Sequence, residues 1–333
     1  MGSELVECIP NVSTGRNLHL IKQIERRLDE IAGLSLLHVD RSYSIDRTVL
    51  TMVGHMEAIC EGVLVLAREV VKSIDLNRYT SAHPHVGALD VCPFVPIRGI
   101  KLEACQKEVD VLAHRIYSEL RLPIYYYEKS AVSAERTKLE SIRKGGWQNL
   151  SDRSVHDFPP DVGGLALHPT VGTTVMGIRD YLVAFNINLD SADMVTTRGI
   201  ARRMRNARSY PLLQGVKAIA WYNEDYKCMQ ISVNLTKPCT TGLHHVYEAV
   251  CEMALELDIK VIGSELIGML PLRYLIDSGI FYLSESGKSA WSRDDCLQSA
   301  IERLGLTRVR DFSPDDQILD HRYSILTNSD AIF

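Results

Sequence analysis

In both halves of this chain the spacing of apolar residues changes from every second position to every third or fourth and back. That alternation restricts the fold to β-sheets backed by helices. Residues 4–10 read as a strand, followed by the turn Asn11-Val12-Ser13-Thr14-Gly15. Leu18, Ile21, Ile24, Leu28 and Ile31 then recur at helical spacing. Strands are expected over 34–40 and 48–54, joined by a polar loop, then a helix over 58–74. The apolar run from Leu89 to Val95 reads as a buried strand. It is followed by helix 102–120, a short strand 124–127 and a helix over 133–144. Residues 147–177 show weak periodicity and carry Pro159, Pro160, Gly163, Gly164, Pro169, Gly172 and Gly177. A loop of that length is either disordered or functional. Val162, Leu165, Leu167 and Val171 within it favour a loop that closes over a ligand. The pattern then restarts: strand 181–189, helix 191–205, a hairpin of 216–222 with 229–235, helix 242–257, strand 259–262, and one or two further helices. The fold class is α/β (α+β), in two similar-sized subdomains, 1–181 and 182–333, each a mixed β-sheet backed by helices.

A chain of 333 residues, 46% hydrophobic and 24% charged, can bury a core in each half. Its net charge of -5 and the lack of a basic stripe exclude a nucleic-acid partner. No apolar run has membrane-spanning length and the N-terminus lacks the pattern of a signal peptide, so a cytoplasmic protein is expected. The eight cysteines are scattered without CxxC pairs. Cys8, Cys60, Cys92 and Cys105 sit in apolar patterns, as packed free thiols in a reducing compartment do. Neither half holds GxGxxG or a phosphate loop, so no nucleotide cofactor is expected.

The chemistry points to His83-Pro84-His85-Val86-Gly87-Ala88-Leu89-Asp90. Imidazole gives or takes a proton near neutral pH. Pro84 restricts the backbone of His83, and Gly87 allows a close approach that a side chain would block. Most histidines in proteins simply pack or face solvent. Here a stiff loop feeding a strand end makes His83 a catalytic-base candidate. Two imidazoles so spaced also suit a zinc site, but no second motif of metal spacing accompanies them, and the adjacent His244 and His245 point apart on a helix. No metal is expected.

The chain resembles the glutamate formiminotransferase family, including the N-terminal part of formiminotransferase-cyclodeaminase, over nearly its whole length. The carriers are Pro10-Asn11 with Ser13 and Gly15, Asp40 with Arg47-Thr48-Val49, and His83-Pro84 with Gly87-Ala88-Leu89-Asp90. Pro93-Phe94-Val95-Pro96-Ile97-Arg98-Gly99, Ala184-Phe185-Asn186-Ile187-Asn188-Leu189, Val233-Asn234-Leu235 and Gly263-Ser264-Glu265-Leu266-Ile267-Gly268 continue it. The resemblance implies transfer of a formimino group from N-formiminoglutamate to tetrahydrofolate, a one-carbon step in histidine breakdown, with folate as co-substrate. It implies facing sheets across a central substrate tunnel and a homodimer, and it puts the cyclodeaminase domain downstream of the last residue here. The family's catalytic histidine falls on His83. Its folate-contacting loop falls on Gly163, Gly164, Leu165, Ala166, Leu167, His168, Pro169, Thr170, Val171 and Gly172.

The residues suit that chemistry. One histidine can remove the proton of an attacking amine and return it to a leaving nitrogen, typically worth about 10²–10⁴-fold. Asp90 or Asp40 would orient the ring or hold the amidinium; the sequence leaves both open. Arg47, Arg98 and Arg179 are the candidates for substrate carboxylates. Asn186 and Asn188 share one strand face, which suits a ligand or an open sheet face; with Asn234 and Glu265 they are candidates for the pterin edge.

Several ligand-facing positions depart from the family. Arginine usually follows His-Pro, where this chain has His85, and asparagine usually stands at Asp46. The aromatic after Pro10-Asn11 is Val12, the proline after the first glycine of the folate loop is Gly164, and Trp-Gly-Ala becomes Val171-Gly172-Thr173. A non-catalytic or altered-specificity folate-binding relative is therefore the alternative expectation. A metal hydrolase built on His83 and His85 is a third.

Overall fold

Pro10 breaks the first strand of the chain in two. β1 (Leu5–Cys8) and β2 (Asn11–Val12) lie end to end, because proline has no N–H to continue a ladder. Its carbonyl still accepts the N–H of Leu50 at 3.0 Å. After α1 (Leu18–Asp29) come β3 (Leu34–Ser42), β4 (Arg47–Gly54), α2 (Met56–Ser73), β5 (Leu89–Arg98) and α3 (Leu102–Leu120). Then follow β6 (Ile124–Tyr126), the short α4 (Leu139–Ile142), α5 (Gly146–Ser154) and β7 (Thr174–Ile178). This structure, a computed structural model, describes residues 4–81, 83–206, 210–284 and 290–327. The expected subdomain ends at 1–3 and 328–333 lie outside the described residues.

The chain divides after Arg179 into two compact units. In the first, β4 and β5 flank both pieces of the broken strand, β3 pairs with β4, and β7 runs parallel to β5 and β6. The sheet is thus mixed. Leu20, Ile24 and Leu28 of α1, Ile59, Val63 and Leu66 of α2, and Val109, Leu112 and Ile116 of α3 join Val6, Met52 and Phe94 in one core. Each such buried side chain contributes roughly 1.5–3 kcal/mol. A second cluster holds Val91 of β5 and Val175 of β7 with Tyr125, Ile142, Leu150, Phe158 and Leu167. Apolar packing therefore covers β5 on both faces, which is why it reads as a nearly unbroken apolar run.

The second unit comprises β8 (Val183–Leu189), α6 (Met194–Met204), β9 (Val216–Asn223), β10 (Cys228–Leu235), α7 (Leu243–Leu255) and β11 (Val261–Ile267). Helices α8 (Leu272–Ser284), α9 (Arg293–Arg303), α10 (Pro314–Gln317) and α11 (Leu319–Thr327) complete it. Its sheet has the order β11-β8-β10-β9, antiparallel throughout. Phe185, Ile187, Ile231 and Val233 pack with Ile200 of α6 and Val246 of α7. Strand alternation sends Asn186, Asn188 and Gln230 to the opposite face. The fold class is the one the sequence implies, α/β with two sheets backed by helices; the second sheet, expected to be mixed, is antiparallel because hairpin and helix connections reverse the chain between its neighbouring strands.

Besides the broken first strand, where Asn11 and Val12 form β2 and not the expected turn, three segments differ from the expectation. Residues 133–144 form one 3₁₀ turn, Ala134–Arg136, and the single-turn α4. Arg136 causes the break: its buried guanidinium pairs with Asp161, donates to the Pro159 carbonyl at 2.8 Å and lies 4.6 Å over the Phe158 ring. The 147–177 stretch is not all loop, since α5 begins it and β7 ends it. The strand expected at 259–262 runs instead from Val261 to Ile267, with an irregularity between Val261 and Gly263.

Candidate active site

Two glycines bring the His83 loop and the 163–172 loop together. Gly87 and Gly172 face each other across an antiparallel bridge. Ala88 donates its N–H to the Val171 carbonyl at 2.9 Å and Thr173 to that of Val86 at 3.1 Å. A Cβ on Gly87 would lie 1.6 Å from the Thr173 carbonyl oxygen. On Gly172, at φ +71°, it would lie 2.3 Å from the Val86 oxygen. No side chain fits between these backbones.

The rest of the loop has a definite shape. His168 and Gly172 exchange backbone hydrogen bonds at 2.9 and 3.0 Å, closing its tip, and Leu76 donates to the Thr170 carbonyl at 2.7 Å. Leu167 and Val171 are buried, whereas Gly163, Gly164, Leu165, Ala166 and Pro169 are exposed. His168 Nδ1 accepts from the N–H groups of Thr170 and Val171 at 3.4 and 3.3 Å, and burial lowers the pKa of the ring.

The His83 loop is tied down from the other side by the 11–15 segment. Ser13 donates through Oγ to the Gly87 carbonyl and through N–H to that of Ala88, both at 2.8 Å. Asp46 Oδ1 accepts from the N–H groups of Gly15 and Arg16 at 2.7 and 2.8 Å. Asp46 thus stitches two loops together.

The centre of the site is a buried ion cluster. Asp90 Oδ1 accepts the Val86 N–H at 2.8 Å. Its Oδ2 accepts Nη2 of Arg47 at 2.8 Å and also Nη2 of Arg143. Arg47 Nε donates to Asn11 Oδ1 at 3.1 Å. Burial alone would raise the Asp90 carboxyl, but Arg143, Arg47 and the Val86 N–H hold it far below the usual carboxylate range.

His83 stands beside this cluster, half-buried. Its Nδ1 lies 2.9 Å from the Pro84 carbonyl, which only accepts, so Nδ1 carries the hydrogen and Nε2 the lone pair. Burial, then Arg47 and Arg143, push its pKa well below that of ordinary histidine; Asp90 and the Pro84 bond oppose them. The ring is neutral at pH 7, with Nε2 able to accept a proton. By the same logic His85 Nδ1, 3.2 Å from the His83 carbonyl, donates, and its buried Nε2 has no partner among the described residues. The His85 ring meets Tyr79 edge-on, with centroids 4.8 Å apart.

The other candidates are dispersed. Asp40 sits on β3 opposite Val49, half-buried. Arg98 is exposed at the far end of β5, eight residues or about 26 Å from Asp90 at strand rise. Arg179 follows β7 and donates its N–H to the Phe94 carbonyl at 3.0 Å. In the second unit, Gln230 gathers Asn186, Asn188 and Glu265 into one network. Trp221 Nε1, which can only donate, lies 3.0 Å from Gln230 Oε1 and so fixes the amide. Nε2 of Gln230 then donates to Asn188 Oδ1 at 2.7 Å and Glu265 Oε1 at 2.8 Å. Asn186 Nδ2 reaches the same Glu265 oxygen at 3.3 Å, and Tyr226 donates to the other at 2.8 Å. Asn234 is exposed outside this network.

Sequence reasoning missed Arg143 and Gln230. Gly145-Gly146 beside Arg143 signals a turn, but nothing ties that turn to Asp90. Strand alternation alone would have put Gln230 on the Asn186 face. Among the described residues no group of three or more His, Cys, Asp or Glu side chains is placed to hold a metal ion.

The sequence matches the formiminotransferase domain, N-terminal subdomain, over residues 5–179 and the formiminotransferase domain over 184–324. It is 37% identical to formimidoyltransferase-cyclodeaminase of Sus scrofa over 328 residues, covering 96% of this chain and 60% of that protein. It is 36% identical to glutamate formimidoyltransferase of Streptococcus pyogenes serotype M1 over 282 residues, 84% of this chain and 94% of that protein. The corresponding Thermoplasma acidophilum protein is 31% identical over 290 residues, 85% and 93% of the two chains. The chain thus spans 60% of the length of the animal relatives it matches.

Proposed function

The chain belongs to the formiminotransferase family, and from that premise we propose that it moves a formimino group from N-formiminoglutamate to N5 of tetrahydrofolate. The observation that carries the reading is the His83 imidazole, its Nδ1 held by the Pro84 carbonyl, beside a buried guanidinium–carboxylate cluster, with its pKa lowered by burial and by Arg47 and Arg143. N5 attacks the amidine carbon, a C–N bond forms, and His83 Nε2 takes the proton that N5 releases. The tetrahedral intermediate collapses as the bond to the glutamate nitrogen breaks, and the same proton goes to that nitrogen. The products are 5-formiminotetrahydrofolate and glutamate. A depressed pKa suits both halves: the ring starts as a base, and its protonated form gives the proton up readily.

Tetrahydrofolate is the co-substrate in this reading, contacted by residues 163–172, whose backbone is bonded directly to the His83 loop. Asp90 sets the arginines around the ring, and Asp40 is kept as a second partner for the amidinium. A homodimer in the cytoplasm belongs to the same reading. Among the described residues no helix is long and apolar enough to cross a membrane.

A spectroscopic assay with tetrahydrofolate and formiminoglutamate tests the proposal. Wild type is expected to form product, and His83→Ala to lose about 10²–10⁴-fold in rate. No product from wild type, or an undiminished rate in the variant, overturns it.

One observation favours altered specificity as a second reading. At His85, where the family usually has arginine, the protein presents an imidazole whose Nε2 is buried and unpartnered among the described residues. No guanidinium grips an anion from that position. A rise in melting temperature with folinate, without turnover of formiminoglutamate, would select this reading.

A further inference from the structure

We propose that Arg143, together with Arg47, clamps the α-carboxylate of the formimino-bearing amino acid, with Asp90 holding both guanidinium groups in place. The inference rests on the proposed transfer reaction and deepens it by assigning the groups that select the small substrate.

A charge imbalance carries it. Nη2 of Arg47 and Nη2 of Arg143 both donate to one oxygen, Oδ2 of Asp90, while the other oxygen takes the Val86 N–H. Among the described residues, neither arginine forms an ion pair with any other acid. Two cations therefore share one fully buried anion, and one positive charge is left over. Arg47, at 2.8 Å, already neutralises Asp90, so charge balance alone does not call for Arg143. The Arg143 Nε–H, moreover, is buried without a partner among the described residues. An unmatched donor edge beside surplus positive charge suits a planar, two-oxygen anion.

The position of Arg143 is built into the fold. Its N–H donates to the Leu139 carbonyl and its carbonyl accepts from Gly146, both at 2.9 Å. The preceding residue, Ile142, is fully buried. Gly145 and Gly146, at φ +78° and +74°, turn the chain directly afterwards. With only 14% of its side chain exposed, the guanidinium is held in place rather than free to swing.

Substrate chemistry selects which carboxylate fits. In formiminoglutamate the α-carboxylate is attached to the carbon that bears the reacting nitrogen. A clamp for it must lie beside the catalytic imidazole, and both arginines act electrostatically on His83. The folate glutamate is separated from N5 by the whole p-aminobenzoyl spacer, so its carboxylates lie away from the reacting atoms.

The test compares formiminoglutamate with N-formimino-4-aminobutyrate, which lacks only the α-carboxylate, in wild type, Arg143→Met and Arg143→Lys. Arg143→Met is expected to raise KM for formiminoglutamate about 10- to 100-fold, leaving KM for tetrahydrofolate and KM for the analogue unchanged, while any change in kcat through the His83 ring is the same for both substrates. Arg143→Lys keeps the charge without the planar fork and should fall between. L-Glutamate binding by calorimetry, which needs no turnover, should weaken in the same proportion. Unchanged KM and glutamate affinity in Arg143→Met, or an equal rise in KM for the analogue, overturns the clamp alone. A wild type that neither turns over formiminoglutamate nor binds L-glutamate overturns the transfer reaction, and the clamp with it. The Arg47–Asp90 pair remains in Arg143→Met, and if that variant does not fold, Arg143→Lys decides by the same comparison.

Discussion

Arg47 and Asp90, 43 residues apart in sequence, are joined at 2.8 Å with side chains only 5% and 0% exposed. A buried pair of this kind adds little over an apolar pair, but breaking it strands a charge away from water.

Asp90→Asn leaves two buried guanidinium groups without a counter-ion. It should cost about 3–5 kcal/mol in urea unfolding at pH 7. The folded pKa of Asp90 lies below its unfolded value of about 3.9, so its contribution is complete above that pH and is lost as pH falls through the folded value. Wild type and variant should therefore converge in strong acid. A gap that stays constant from pH 7 to pH 2 contradicts the assignment.

The His83 ring should titrate below pH 6.5 by NMR. Arg143→Met removes a cation that disfavours its protonation, so the midpoint should rise. Asp90→Asn removes an anion that favours protonation, so it should fall. Because the unfolded chain takes the proton first, His83 also withdraws stability as pH drops from about 6.5 towards its folded value. A wild-type midpoint at or above 6.5 would refute the neutral-base assignment.

Gly87→Ala places a methyl 1.6 Å from a backbone oxygen, which has no flexible end to yield. We expect at least about 3 kcal/mol of destabilisation. Gly199, inside α6, has nothing within 4 Å of an added Cβ. Gly199→Ala should instead stabilise by about 0.5–1 kcal/mol. Thermal unfolding of the two variants, compared directly, checks both signs.

Gln230→Leu keeps the volume but removes the amide that donates to Asn188 Oδ1 and to Glu265 Oε1. Losing these two buried hydrogen bonds should cost about 2–4 kcal/mol in chemical denaturation. A loss under 1 kcal/mol would mean that water takes over the network.

Where local pattern and tertiary demand agree, the sequence is readable. Helix α3 occupies the residues its apolar spacing specifies, and β5 follows its unbroken apolar run. Where a distant partner decides, it is not. Arg136 interrupts a helical pattern because its guanidinium is needed at Asp161 and Pro159. Helix α5 escapes notice because Asn149, Ser151, Asp152 and Ser154 blur its amphipathic face.

The site divides in the same way. His83, Asp90 and Arg47 lie in short motifs with a chemical rationale of their own. Arg143 lies in an Arg-Lys-Gly-Gly turn that resembles a solvated charged loop. Only the fold, which carries it across 53 residues to Asp90, reveals its place.

The Gly87–Gly172 crossing limits how this chain can diverge. Every other amino acid carries a β-carbon, so drift at either position would push apart the strand-entry loop and the loop laid against it. New specificity must therefore come from exposed neighbours such as Leu165 and Ala166, which can be exchanged while the seam beneath them stays closed.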